Sequence, residues 1–462
     1  MSSLRSTVGT AARLLVSLAT VATVATVATV AAIAGLAGCS NGGTPGAAAG
    51  PSATSPSASS DPGPVTLRFA VYGDEHDVAS YARLAHAYTS RHPRVTIEIE
   101  RTADAAQAEA RLDGQFAQGN APDVFLLDHA ALPSFVAAGR LQPVDELLEQ
   151  RNVGFGESFQ RLGLESFSAD SSLQCMPNDV SPMVVYYNSD LVHPHRFAAK
   201  GETPPNRVVG WTWAQFARAA RAASGPGVKG TSVPASLWAL TPLVRSAGAD
   251  VVNDPRTPST LTLADNGTRA ALTKVLALAR DPKVTPTRAQ LAHADALERF
   301  EKGRLAMLFG DRRLLPTLRR QARVPYDVFP MPTLGKLPRS IATITGLCIA
   351  RGTPHLQAAA DFLAFASGTK GARISARSGS VVPANLPALR SPAFMQPDRE
   401  PAHPDVFADS VRYSDAGPYS PRWPREVADS QPFVERLFHD RPLAPQGLLE
   451  RMDHQSRRIL QP

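Results

Sequence analysis

The sequence predicts an α/β protein with more than one lobe. Three observations predict it. At 462 residues the chain is longer than one hydrophobic core usually serves. From Val65 onward, short apolar runs alternate with stretches of helical periodicity. Finally, the strand-rich stretch Met176–Asp190 (MPNDVSPMVVYYNSD) has α/β pattern on both sides. It therefore reads as a connector that crosses from one lobe to another beside a cleft, with Asp179 at the cleft wall behind a Pro-Asn-Asp turn.

Composition narrows the class. Hydrophobic content of 43% and charged content of 19% fit a folded body. The formal charge is +7, and it falls to +5 if Arg5 and Arg13 are removed with a leader. The basic residues are scattered and no basic stripe interleaves with aromatics, so no nucleic-acid partner is expected. The three cysteines are Cys39, Cys175 and Cys348. They form no CxxC or Cys/His cluster, so neither a metal nor a cofactor is expected. If Cys39 is consumed by lipidation, Cys175 and Cys348 remain, either paired in an oxidising compartment or as two separate buried thiols.

Residues 1–38 carry two arginines, no acid, and an apolar run from Leu14 to Gly38 diluted by an ATV repeat. A transmembrane helix is the competing reading. The run ends in Leu36-Ala37-Gly38-Cys39-Ser40, which resembles the bacterial lipobox. That resemblance implies a cleaved lipoprotein signal peptide over 1–38 and a lipidated Cys39. Residues 39–64 form a Ser/Ala/Pro/Gly tether with little to bury, expected to be disordered.

The body starts with a strand at Val65–Tyr72, closed by Gly73-Asp74, then a helix at His76–Ser90. A strand at Val95–Glu100, a helix at Asp104–Gln118 and a strand at Asp123–Asp128 follow. This β-α-β-α-β order predicts right-handed crossovers in a largely parallel sheet. Ligands of such sheets bind beyond the carboxyl ends of strands, which puts Tyr72, Gly73, Asp74, Asp128 and His129 on one rim. Helical pieces are expected at Leu132–Ala138 and Val144–Gln150. Beyond the connector, Thr212 should cap a helix to Ala223, and Ser236–Ala247, Asn266–Arg280 and Arg288–Lys302 read as helices. Arg304–Asp311 reads as strand then turn, Tyr326–Phe329 and Ile341–Ala350 as strands, and Leu356–Ala366 as a helix. The tail is Pro-rich to Pro424 and then helical from Val427 to Leu460.

Several phrases, in this order, carry a family resemblance. They are the first strand into Tyr72-Gly73, FAQGNAPDVF ending at Phe125, VYYNSDL ending at Leu191, Trp211-Thr-Trp213, SAGAD ending at Asp250, and Phe300–Met307. Together they resemble the family 1 extracellular solute-binding proteins of ABC importers, from about Val65 to the C-terminus. The resemblance implies a two-lobed periplasmic-binding-protein-like fold of type II, with a hinge and a ligand cleft between the lobes. Lobe 1 would hold 65–182 plus about 346–400, and lobe 2 would hold 183–345 plus about 401–462. It further implies a monomer that binds a carbohydrate, an oligosaccharide by preference, and hands it to a membrane permease with a cytoplasmic ATPase. The chain has no GxxxxGK[ST] loop of its own. A sensor-linked binding lipoprotein is one alternative reading, and a glycoside-acting enzyme using paired carboxylates is another.

A sugar site needs carboxylates for hydroxyl pairs and flat aromatic faces for the apolar side of a ring. The candidate ligand-binding residues are Tyr72, Asp74, Asp128, Asp179, Trp238, Asp311, Arg312, Gly346, Tyr413 and Trp423. Arg312 is placed there for a bidentate contact and Gly346 for close approach of a ligand to backbone. Each has a structural alternative: turn or helix capping for the acids, core packing for Trp238, a surface ion pair for Asp311 and Arg312. Trp211 and Trp213 read as core. Since Cys348 lies on the strand expected to return beside Cys175, a disulfide there would pin the two strands at the lobe 1 end of the hinge.

Overall fold

The computed structural model describes residues 63–208, 210–440 and 445–461. The expected signal peptide, Cys39 and all but the last residues of the tether lie outside the described residues. The body from Asp61 to Pro462 forms one compact unit. Among the described residues no helix is long and apolar enough to cross a membrane.

The first lobe grows from β1 (Val65–Tyr72), whose Leu67, Phe69 and Val71 point into the core at alternate positions. Asp74 then caps α1 (Glu75–Thr89), accepting from the backbone N–H of His76 and Asp77. β2 (Val95–Thr102), α2 (Ala105–Ala117) and β3 (Val124–Asp128) follow, and β1 pairs in parallel with both β2 and β3. Next come α3 (Leu132–Ala137), β4 (Leu141–Gln142), α4 (Asp145–Glu149), α5 (Arg161–Ser166) and a small hairpin of β5 (Ser168–Ala169) and β6 (Ser172–Leu173). They lead into β7 (Cys175–Pro182).

One residue separates β7 from β8 (Val184–Asn188), which opens the second lobe. There α6 (Trp213–Ala222) starts from a Thr212–Gln215 capping box, followed by β9 (Lys229–Ser232) and α7 (Leu237–Ser246) behind a Ser236 cap. α8 (Asn266–Ala279), α9 (Arg288–His293), α10 (Ala296–Glu301), β10 (Leu305–Gly310), α11 (Leu315–Gln321) and β11 (Tyr326–Phe329) complete it. Its sheet has the order β11-β8-β10-β9. Strand β8 divides its side chains by parity. Val184 and Tyr186 join the core shared with lobe 1, while Val185 and Tyr187 join the core of lobe 2.

The chain returns through β12 (Ser340–Ala350) and α12 (Leu356–Ser367), then α13 (Thr369–Ala376), α14 (Leu386–Leu389), α15 (Pro392–Met395) and α16 (Asp405–Ser410). It ends with β13 (Ser414–Asp415), α17 (Trp423–His439) and α18 (Pro445–Leu460). β12 lies between β3 and β7 and is antiparallel to both. The last two helices pack into the lobe 2 core through Val434, Leu449 and Met452.

Four expectations need correction. The first sheet is mixed, not largely parallel, because the returning β12 enters against the direction of β3. The expected Pro-Asn-Asp turn is strand: β7 runs through Pro177-Asn178-Asp179, and a register shift opposite Thr345/Gly346 leaves Asn178 as an extra residue. The helix expected over Arg288–Lys302 is two helices, because Ala294 is extended and Asp295 takes the backbone N–H of Glu298 as a new cap. The final helical stretch starts earlier, at Trp423, and is likewise two helices.

Cys175 and Cys348 form a disulfide, with Cα atoms 4.4 Å apart on directly paired residues of β7 and β12. The tie is fully buried inside lobe 1.

Candidate functional site

A cavity of about 400 Å³ opens where the two lobes meet. Lobe 1 supplies Asp128 and Ala130 from the end of β3, and β12 supplies Thr343. Lobe 2 supplies Trp238 and Thr241 from α7 and Arg313 from the turn after β10. The tail closes it with Ala416, Pro418, Trp423 and Pro424.

The polar side is set by local geometry. β3 carries Asp128 to the rim, where one carboxylate oxygen accepts the backbone N–H of Ala130 at 2.9 Å. Burial pushes the Asp128 carboxyl up, against the pull of that hydrogen bond and of Arg313. Asp311 caps the 3₁₀ turn Arg312–Leu314 by accepting from the Arg313 N–H, so the side chain of Arg313 folds back over the capping carboxylate. Arg313 donates to Asp311 through Nη2 at 2.6 Å and Nε at 3.0 Å, and Nη2 reaches the Thr343 hydroxyl at 2.9 Å. Asp311 above all, then Asp179 and Asp128, hold the Arg313 guanidinium firmly charged. The Thr343 hydroxyl also donates to Asp311 at 3.2 Å, so a lobe 2 ion pair is tied to a lobe 1 strand.

The apolar side is indole. Trp238 and Trp423 lie within the first two residues of α7 and α17 and line the same cavity. Gly417, at φ +87°, lets the tail press on Trp238: a Cβ there would stand 3.1 Å from the ring.

Of the candidates from sequence, Asp128, Trp238 and Trp423 line this cavity, and Asp311 sits behind it as the partner of Arg313. Tyr72 belongs to the same electrostatic cluster, its hydroxyl shielded and without a hydrogen-bond partner among the described residues. Asp179 is 4% exposed and lies beneath the wall. Its carboxylate accepts the Val382 N–H at 2.7 Å and the Ser181 hydroxyl at 2.8 Å, and burial raises its pKa to about 7. Asp74 caps α1 and stands 3.7 Å from Arg320 across the lobe junction.

Three candidates are placed elsewhere. Arg312 turns the opposite way from Arg313: it is fully buried, its guanidinium 4.0 Å over the Phe394 ring and its Nη2 bonded to the Phe394 carbonyl. Gly346 makes room for protein, since a Cβ there would stand 2.8 Å from the Phe167 ring. Tyr413 ends a 3₁₀ turn with the Arg412 guanidinium 5.6 Å over its ring, away from the cavity lining. His129, expected on the rim, is 5% exposed between Phe167 and Tyr419, and burial lowers its pKa to about 4.

Arg313, Thr343 and Thr241 were missed. For Arg313 the signal was present: an aspartate after a glycine-ended strand caps the next turn, and a basic residue two positions on can fold onto it. Thr241 stands three residues after Trp238, on the same helix face.

The sequence pattern of the bacterial extracellular solute-binding protein family matches residues 83–403. A lipoprotein of Streptomyces antibioticus, described as uncharacterized, is 26% identical over 351 residues, 74% of this chain and 75% of its own length. Among solved structures, the substrate-binding protein Lmo0181 of Listeria monocytogenes, in complex with cycloalternan, superposes with a TM-score of 0.73 at 19% identity, over 85% of this chain and 98% of that one. The GacH receptor of Streptomyces glaucescens, solved unliganded and with acarbose, gives 0.72 at 19% identity, over 86% and 98%. The sugar-binding protein MalE of Xanthomonas citri gives 0.73 at 18% identity, over 86% and 97%. At such identities the likeness to the solved structures is one of fold.

Proposed function

This chain belongs to the bacterial extracellular solute-binding proteins, and from that premise we propose that it binds a carbohydrate reversibly in the cavity between its lobes. The bound sugar, an oligosaccharide by preference, is then delivered to the permease of an ABC importer. The body is held at the outer membrane face by lipid on Cys39, through the tether 39–64. Lobe 1 is 65–182 with the return strand β12 and the helices that follow it, and lobe 2 is 183–339 with the C-terminal helices. The protein binds and releases without turnover.

One observation carries the reading: two indoles share a cavity with one carboxylate, one guanidinium and the Thr343 hydroxyl. A pyranose ring has an apolar face and a polar edge. Trp238 and Trp423 suit the face, while Asp128 accepts from ring hydroxyls and Arg313 donates to ring and hydroxyl oxygens. The volume of about 400 Å³ is within the usual range for small-molecule sites. Lobe closure would carry the polar edge of lobe 1 onto a ring stacked against lobe 2. The solved structures of like fold that were obtained with cycloalternan and acarbose point to the same class of ligand.

The test is isothermal calorimetry with thermal shift over mono- and oligosaccharides. A sugar that binds and raises the melting temperature is the expected result. Binding of a peptide or polyamine with no response to any sugar overturns the ligand class, and hydrolysis of a bound glycoside overturns the non-catalytic role. For the anchor, Cys39→Ser should release the body from membranes; unchanged membrane partitioning would support an uncleaved helix instead.

A further inference from the structure

Lobe 1 has a face of a single charge sign that the cavity does not use. Residues 78–97 contain Arg83, Arg91 and Arg94 and no acid; residues 362–397 contain Lys370, Arg373, Arg377 and Arg390 and no acid. The fold joins these stretches. α1 packs on α13, and Arg83 and Arg377 line one hollow between them. The helices bury Leu84, Tyr88, Ala372 and Ala376, and turn Arg83, Lys370, Arg373 and Arg377 outward. Arg91 and Arg94 extend the face along the loop after α1. Asp361, at its edge, is already held by Arg151 at 2.6 Å.

The position of this face gives it a partner. Gly63 and Val65, where the tether meets the body, line a groove together with Arg91 and Arg94. A Gly/Ser-type linker of the length that separates Cys39 from Gly63 has a root-mean-square reach of about 25–30 Å. A surface holding the far end of that tether is therefore within range of this face. Screening limits attraction to about one Debye length, ~8 Å, so the charges near the root of the tether feel such a surface most. The face spreads its charge over two helices and a loop, which suits a diffuse plane of negative headgroups.

We propose that the α1–α13 face of lobe 1 docks on anionic phospholipid headgroups. In the cell the docking depends on the anchor proposed above, but its test does not, and it is independent of what fills the cavity.

The test uses residues 61–462, which form a compact unit by themselves. The body is floated with vesicles of phosphatidylglycerol and phosphatidylcholine in about equal parts, and with phosphatidylcholine alone. Binding to the anionic vesicles at low salt, released by about 0.5 M salt, is expected. Arg83→Glu/Arg373→Glu/Arg377→Glu should lower partitioning about tenfold or more. The same charge change on lobe 2, Arg425→Glu/Arg451→Glu/Arg458→Glu, should leave most of it. If the wild-type body does not float with anionic vesicles at low salt, the proposal fails and the face is left to an acidic protein partner. If both triple variants lose binding equally, net charge alone is responsible and the proposal fails as well.

Discussion

The two walls of the cavity are made by different means. The lobe 1 wall is polar and rests on strand: Asp128 ends β3 and Thr343 lies in β12, both inside a hydrogen-bonded sheet that also carries the Cys175–Cys348 tie. The lobe 2 wall is aromatic and rests on helix starts, Trp238 in α7 and Trp423 in α17. A sheet fixes where a side chain points because the strand is paired there, Asp128 with Thr345 of β12 and Thr343 with Ser181 of β7. A helix start fixes a large ring because its first turn has little backbone freedom, held by the Ser236 cap in α7 and by Pro424 in α17. Arg313 is the hinge between these modes, bonded to Asp311 in its own lobe and to Thr343 in the other.

This contrast can be broken in several ways. The largest effect should come from the tie that only the lobe 1 sheet has. Cys175→Ala/Cys348→Ala should lower stability in denaturant by about 2–5 kcal/mol and leave sugar affinity nearly unchanged. A large loss of affinity would mean that the tie shapes the cavity wall itself. Next, Trp238→Ala should weaken calorimetric binding by about 2 kcal/mol, roughly thirtyfold, with Trp238→Phe recovering part of it. Affinity unmoved by both variants would return Trp238 to core packing. Asp128→Asn keeps the acceptor for the Ala130 N–H but loses charge, and should weaken binding by about 1–2 kcal/mol.

The smallest effect is a slope. Below the ordinary aspartate pKa of about 3.9, Asp179 is protonated in both folded and unfolded chains. Between there and about 7 the unfolded chain has lost the proton and the folded chain keeps it, so rising pH destabilises the fold through Asp179. The contribution is at most about 1.4 kcal/mol per pH unit. Asp179→Asn, whose amide oxygen can still accept from Val382 and Ser181, should flatten stability against pH over that window. An unchanged slope would show that Glu109 and Glu426, also raised by burial to about 7, set it instead.

Local chemistry made most elements legible. Asp74, Asp104, Thr212 and Ser236 all cap the helices they announce, and the strands at Val65, Asp123 and Tyr326 follow from short apolar runs. Asp128 was readable because a strand end is a position that sequence defines. What failed was non-local. Arg312 and Arg313 are identical in type and adjacent, and only the phase of one 3₁₀ turn sends the first into a Phe394 and Phe407 nest and the second to the cavity. Gly346 serves Phe167, a residue 179 positions earlier. The antiparallel entry of β12 depends on where the chain returns from a second lobe, and no window of a dozen residues holds that information.

The extra residue in β7 has a further consequence. Four positions separate Cys175 from Asp179, an even number that in an unbroken pleat would put both on one side of the sheet. Their partners on β12, Cys348 and Thr345, are three apart, so Asn178 sets the disulfide and the carboxylate on opposite sides. For a lineage of such proteins, the relevant genetic event here is insertion or deletion. Losing one codon would carry Asp179 to the other face of the sheet, with every other residue type kept.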